Sequence, residues 1–255
     1  MWDRPEFLRL PDRAGKPRSA GITHVLDKGA PIAVVDGLLT TAADLVDVVK
    51  IGWGIGYLDR ALKQRVAAYQ RAGILVCLGG TLVEIAAAQG ELTALRRWAA
   101  GEGIDALEVS NGLGWMGPGA QCALVAELAE DFTVLAEAGA KDAAAPVAAA
   151  EWADEMTADL AAGAAWVIAE GRESGTVGIY DGDGAVRVAL VEDLAAAVPV
   201  ERVIFEAPAK AQQAWFVRRF GADVNLGNIA PDDVLPLETL RLGLRADTAV
   251  EPTAP

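Results

Sequence analysis

A (β/α)8 barrel of the TIM class, in the α/β group and built as a single domain, is the fold this sequence predicts. Three observations carry that expectation. Eight short apolar segments run through the 255 residues, nearly all followed by a stretch of helical periodicity. The segments are continuously apolar rather than alternating, as in a parallel sheet buried on both faces. Eight such units in a chain of this length match the size and rhythm of the barrel, and neither GxGxxG nor GxxxxGK(S/T) follows a strand.

Residues 1–21, rich in Pro, Arg and Gly, read as an N-terminal arm that closes one end of the domain. Residues 22–246 make the barrel, and residues 247–255 a polar, proline-rich, frayed tail. Strand one is ITHVLDKG (Ile22 to Gly29), and Gly37 to Leu45 is a short helix that Thr40 or Thr41 could cap. Strand two, Val46 to Gly56, ends in Lys50 and three glycines. Tyr57 to Gly73 reads as one amphipathic helix, with Leu58, Leu62, Val66 and Tyr69 on one face and Gly73 as its stop.

Strand three, Ile74 to Glu84, runs into Gly79 and Gly80 before a helix that starts near Thr81; Leu92 to Gly103 is a second helix. Strand four is Ala106 to Gly112. A glycine-rich loop follows, with Pro118 at a plausible first helical position, and the helix then runs to about Asp131. Strand five opens FTVLAEAGAKD (Phe132 to Asp142). The alanine-rich stretch after it is helical beyond Pro146, because Trp152, Met156 and Leu160 keep one face. Strand six is Ala165 to Gly171. In the loop from Arg172 to Arg187, the sequence DGDG marks a turn between two short extended pieces and lacks the ligand spacing of a calcium loop. A helix covers about Val191 to Ala197. Strand seven (Arg202 to Pro208), a helix from Ala209 to Phe220, strand eight (Ala222 to Asn228) and a helix holding Val234, Leu237, Leu240 and Leu244 complete the pattern.

A hydrophobic fraction of 53% is enough for a large core. The net charge of −14 argues against nucleic-acid and anionic-membrane partners. With no signal-like N-terminus and no apolar run of spanning length, a cytoplasmic location is expected. Cys77 and Cys122 form no metal motif and read as buried thiols. The single histidine, His24, excludes a multi-histidine metal site; a satisfied core histidine is its simplest reading, with a lumen-facing role beside Asp27 as the alternative.

In such a barrel the active site lies at the C-terminal strand ends. Here those ends carry Asp27, Lys50, Gly79, Gly80, Glu108, Ser110, Asn111, Glu137, Lys141, Glu170, Arg172, Glu206, Lys210, Asn225 and Asn228. Several carboxylates crowded into one mouth repel unless cations balance them. Oxygen ligands with few His or Cys favour a hard cation such as Mg²⁺, with Asp27, Glu137, Glu170 and Glu206 as candidate ligands. Lys50, Lys141, Arg172 and Lys210 add positive charge, and glycines after strands two, three and eight would let backbone N–H groups approach an anion. Lys28, Ser174 and Gly227 complete the expected substrate-binding set. Two chemistries stay open at this level: metal-assisted proton chemistry beside a carboxylate, with a lysine as acid or base, and Schiff-base aldolase chemistry.

The ordered motifs KPRSAGIT, DKG, KIGWG, GGTLVE, EVSNG, EAGAKD, EGRESGT, FEAPAKAQQ and VNLGNI, from about Lys16 to Asp247, together resemble the phosphosulfolactate synthase family. The resemblance implies a TIM barrel that adds sulfite to phosphoenolpyruvate with Mg²⁺, giving (2R)-phospho-3-sulfolactate. It also implies a homo-oligomer. It places the family's acid–base lysine at Lys141. From their strand-end positions and charge, Lys50 and Arg172 are the other expected catalytic groups, with Arg172 suited to bidentate binding of phosphate or sulfite. Two departures stand out: Ile55 and Gly56 follow GWG where the family often has Thr or Ser, and His24 stands where an apolar residue is expected.

Overall fold

The computed structural model describes residue 5 and residues 7–117, 119–139 and 149–249. Eight parallel strands close in sequence order: β1 (Thr23–Asp27), β2 (Val48–Ile51), β3 (Leu75–Leu78), β4 (Ala106–Val109), β5 (Thr133–Ala138), β6 (Trp166–Ala169), β7 (Val203–Glu206) and β8 (Leu226–Ile229). β1 pairs with both β2 and β8, so the sheet has no edge. Around it lie α1 (Ile32–Ala42), α2 (Ile55–Leu58), α3 (Leu62–Arg71), α4 (Gly80–Ala88), α5 (Leu92–Glu102), α6 (Ala120–Leu128), α7 (Ala149–Ala162), α8 (Val188–Ala197), α9 (Lys210–Phe220) and α10 (Val234–Arg241). Among the described residues no helix is long and apolar enough to cross a membrane.

Successive strand residues point to opposite faces, so each strand serves two cores. The outward set, such as Val49 and Ile51 or Val134 and Ala136, packs against the helices. The inward set begins with a separate buried ring of Ile22, Val48, Cys77, Ala106, Leu135, Ile168 and Ile204. This ring is the floor on which the site stands.

Three local expectations differ from the structure. The first helix begins at Ile32, behind Pro31, rather than at Gly37. Thr40 and Thr41 lie inside it and return their hydroxyls to the carbonyls of Asp36 and Gly37, so they do not cap it. The single helix expected from Tyr57 to Gly73 is divided at Asp59, whose backbone is extended. The Asp59 carboxylate accepts the N–H of Ala61 and the Nε–H of Arg65, which starts α3 afresh. Of the tail expected from Asp247 the structure describes only residues 247–249, where Asp247 pairs with Lys210 at 3.0 Å and its carbonyl accepts Arg218; residues 250–255 lie outside the described residues.

The arm grips the N-terminal end of the barrel. Arg13 reaches Asp223 at 2.7 Å and Glu238 at 3.2 Å, and Arg18 Nη1 donates to both oxygens of Asp47. Above them the buried Arg241 donates to the carbonyls of Ile22, Ala222 and Val224. Arg13→Ala leaves the buried Glu238 carboxylate without its arginine partner. It is expected to lower unfolding stability by about 1–3 kcal/mol in urea titration, with no change in KM, because this end is remote from the strand C-termini.

Candidate active site

One pleat beyond the floor, the inward residues change character. Val48 is followed at two residues by Lys50, Ala106 by Glu108, Leu135 by Glu137, Ile168 by Glu170 and Ile204 by Glu206, all five buried. β3 contributes Gly79 after Cys77, and the missing side chain leaves room. The result is a cavity of about 180 Å³ at the C-terminal end of the barrel. That volume suits a small polar molecule rather than a nucleotide-sized ligand.

Lys50 is the centre of this ring. Its Nζ donates to Glu108 at 2.8 Å and to Glu206 at 3.1 Å. Burial alone would depress its pKa. The carboxylates of Glu108, Glu206 and Glu137 outweigh burial and hold the ammonium well above the ordinary lysine range. Burial pushes Glu108 upward, and Lys50 with the Gly80 N–H more than reverses that, so its pKa is lowered. Lys50 is therefore a fixed positive charge and not a neutral amine.

One oxygen each from Glu137, Glu170 and Glu206 lies within 4.8 Å of the others, close enough to share a cation. All three donors are hard oxygens, the set that Mg²⁺ takes. The loop after β6 fixes two of them. Glu206 accepts the N–H of Gly171 at 3.0 Å, Glu170 accepts the N–H of Arg172 at 2.6 Å, and the Tyr180 hydroxyl donates to the Glu206 carbonyl. Gln212, on α9, pins the same loop through the carbonyls of Gly175 and Gly184. A short antiparallel bridge, Tyr180 to Val186, closes the turn around DGDG.

The opposite wall depends on close approach. A Cβ on Gly79 would come within 2.8 Å of the Trp53 nitrogen, and one on Gly80 within 2.3 Å of the Ser110 hydroxyl. Glu84, one turn along α4 from Gly80, accepts the Ser110 hydroxyl and the N–H groups of Gly112 and Leu113. It thereby sets the β4–α6 loop, whose Gly112 and Leu113 line the cavity. Among the described residues, the only non-glycine positions with positive φ are Trp53, Arg172 and Asn228, at 49°, 57° and 54°, and all three line this cavity. Unfavourable backbone gathered at one place marks a functional mouth.

The sequence model of the (2R)-phospho-3-sulfolactate synthase (ComA) family matches residues 11–247. A phosphosulfolactate synthase of Methanothermobacter thermautotrophicus is 41% identical over 250 residues, 95% of this chain and 96% of the relative. One of Bacillus subtilis is 38% identical over 244 residues, 94% of this chain and 97% of the relative. This chain belongs to the phosphosulfolactate synthase family. Among solved structures, a 3-hexulose-6-phosphate synthase superposes with a TM-score of 0.54 at 16% identity, over 85% of this chain and 98% of that one. The YdjI aldolase of Escherichia coli gives 0.54 at 14%, over 84% and 76%. At those identities the likeness is one of fold.

Within this phosphosulfolactate synthase-family barrel, the cavity brings together Lys50, Gly79, Gly80, Glu137, Glu170, Arg172, Glu206 and Asn228 from the expected set. Lys141 lies outside the described residues. The other expected residues stand elsewhere, for identifiable reasons. Asp27 faces the helices: one oxygen accepts the N–H groups of Gly29 and Ala30, and the other accepts Arg65 at 2.7 Å and the Tyr69 hydroxyl. It shapes the β1–α1 turn and is not placed to share a cation with the glutamates. Asn225 lies before β8, holding Ile22 N–H and the carbonyls of Glu201 and Val203. Ser110 is committed to Glu84, and Asn111 braces its own loop at Met116. Lys210 is paired with Asp247, Ser174 shares a hydrogen bond with Thr176, and Lys28 is exposed outside the cavity wall. Gly227 packs under the ring against Ile204. The N–H groups of Gly79 and Gly80 are taken by Ile51 and Glu108, so these glycines give space and not anion-binding donors.

Sequence reasoning had assigned no role to Glu108 or Glu84. Glu108 was legible as a strand-end acid. Glu84 had a weaker signal, standing four residues after Gly80 and therefore on the same helix face.

Proposed function

We propose that this chain catalyses Mg²⁺-dependent addition of sulfite to phosphoenolpyruvate, giving (2R)-phospho-3-sulfolactate. The family match over residues 11–247 supports the reaction. The observation that carries the cation is the buried trio Glu137, Glu170 and Glu206. The cavity wall holds five glutamates, counting Glu108 and Glu173, against Lys50 and Arg172 among the described residues. Two anionic substrates need more positive charge than that.

Held by the trio, Mg²⁺ would supply Lewis-acid polarisation of the substrate carboxylate. In the proposed step the sulfur lone pair of sulfite bonds to C3 of phosphoenolpyruvate. The C2–C3 π electrons move toward C2 and the carboxylate, and C2 takes a proton. Lys50, kept as an ammonium by Glu108 and Glu206, stabilises the negative charge as it develops rather than releasing its proton. Lys141 keeps the role of proton donor that the family resemblance assigns. The Arg172 guanidinium, exposed at the rim, suits two-point binding of phosphate or sulfite. A Schiff base needs a neutral lysine, and the environment of Lys50 opposes one.

Incubation with both substrates and Mg²⁺ should yield the sulfonate by mass spectrometry, and a chelator should stop it. Lys141→Ala should lose turnover while its circular dichroism and melting curve stay those of the parent. No adduct at any Mg²⁺ concentration overturns the reading. Near-normal turnover in the variant removes Lys141 as the donor.

A further inference from the structure

His24 is a buried polar residue that the proposed reaction does not use. It lies on β1, fully enclosed, with Gly227 against its ring and Lys50 and Glu108 near enough to act on its charge. Its Nδ1 accepts the backbone N–H of Asn228 at 3.4 Å. A neutral imidazole that accepts through Nδ1 carries its proton on Nε2. Nε2 itself has no hydrogen-bond partner among the described residues. Burial first, and then the Lys50 ammonium, oppose a second proton, lowering the pKa to about 3.

The end of β8 is shaped around this ring. A Cβ on Gly227 would come within 3.1 Å of Nδ1 and 2.9 Å of Ile204, so the imidazole occupies space that only glycine leaves open. Asn228, the next residue, takes a φ of 54° and lines the cavity. Its Oδ1 is buried with no partner among the described residues. A carboxamide can present either its oxygen or its NH₂ to a ligand, and an anion selects the NH₂. An apolar side chain at position 24 would fill the same volume but leave the Asn228 N–H buried and unpaired.

We propose that His24 is a positioning residue for anion binding: its Nδ1 holds Asn228 in the left-handed conformation that turns the carboxamide onto a substrate oxyanion. This rests on the reading of the cavity as a site for phosphoenolpyruvate and sulfite.

The chain has one histidine, so ¹⁵N-histidine labelling gives a single imidazole to read by NMR. At about pH 7 the ring should be neutral with its proton on Nε2. A proton on Nδ1, or a doubly protonated ring, overturns the proposal. Calorimetric binding of phosphoenolpyruvate with Mg²⁺, and of inorganic phosphate in parallel, tests the functional half. His24→Leu and Asn228→Ala should each weaken anion binding about tenfold. The double variant should be no weaker than Asn228→Ala alone, because both changes remove one interaction. His24→Asn, whose side-chain oxygen can replace Nδ1 as acceptor, should recover most of the loss. Additive losses, or no recovery in His24→Asn, overturn the proposal. If His24→Leu does not fold, comparing His24→Asn with and without Asn228→Ala carries the same decision. Binding of phosphate but not of phosphoenolpyruvate counts against the proposed reaction and leaves the His24 result readable. Binding of neither anion overturns both.

Discussion

Lys50→Met is expected to reduce turnover by about 10²–10³-fold or more and to lower unfolding stability by about 3–5 kcal/mol. The second effect is the more diagnostic. Methionine fills much the same volume, so packing is largely kept. What disappears is the counter-charge for Glu108 and Glu206, both buried at the bottom of the mouth. Stability, level through neutrality in the parent, should then fall as pH rises. In the parent, the folded-state pKa of Glu108 is lowered. Its contribution is present above the unfolded value of about 4.3 and is lost as pH falls through the folded value. The raised pKa of Lys50 contributes fully below the unfolded value of about 10.4 and is lost as pH rises through the folded one. Together they give a plateau through neutrality.

In the variant, burial acts on Glu108 without that compensation, and its pKa rises above the unfolded one. Folded protein then binds more protons than unfolded protein, and stability falls as pH rises. Urea titrations at about pH 5 and about pH 8 would show it. A variant as stable at the higher pH as at the lower would remove Lys50 from its place as the charge that holds the ring together.

The second large effect is Gly178→Ala. Gly178 has a φ of 65°, and a Cβ there would lie 1.9 Å from the Glu170 carbonyl oxygen. That oxygen cannot easily give way: it belongs to the backbone just after β6, and it accepts the N–H of Ile179. Left-handed strain and the clash together should cost about 3 kcal/mol or more. The damage should also reach activity, because the same loop orders Glu170 and Glu206. Gly182→Ala is the control. Nothing lies within 4 Å of its Cβ position, and stability there should change by less than about 0.5 kcal/mol. Comparable melting curves for the two variants would show that the loop adjusts freely, and would remove it as the support of the two carboxylates.

The barrel was legible because its signals are local and repeated. Apolar strands that carry an acid at or next to their last residue, such as ALEV and VIFE, announce both the buried sheet and the mouth. Strand-end position alone does not say which way a side chain points. Asp27 and Glu137 look equivalent in sequence, yet one faces the helices and the other the cavity. Asp27 falls in phase with Val25, which packs outward, whereas Glu137 falls in phase with Leu135 of the floor. Counting by two from the apolar floor would have separated them. Asn225 was misplaced for another reason: β8 begins at Leu226, so Asn225 lies at the entrance of the strand and not at its exit. Glu84 and Gln212 act through backbone groups of loops distant in sequence, and no spacing rule exposes such contacts. Lys16, which caps the carbonyls of Ala43 and Ala72, was hidden in the same way.

Trp53, Arg172 and Asn228 have a consequence for attempts to make this protein hardier. At every other left-handed position among the described residues the chain already uses glycine, so that route to relief is exhausted there. The backbone tension still open to mutation, of order 1 kcal/mol at each place, sits on three side chains that face the cavity. A selection for heat resistance alone would drift toward glycine at those positions and collect sturdy proteins with a blunted mouth. Improvements that spare turnover would have to come from the far end of the barrel, where Arg13 and Arg18 tie the arm, and Arg241 ties α10, to the strand entrances.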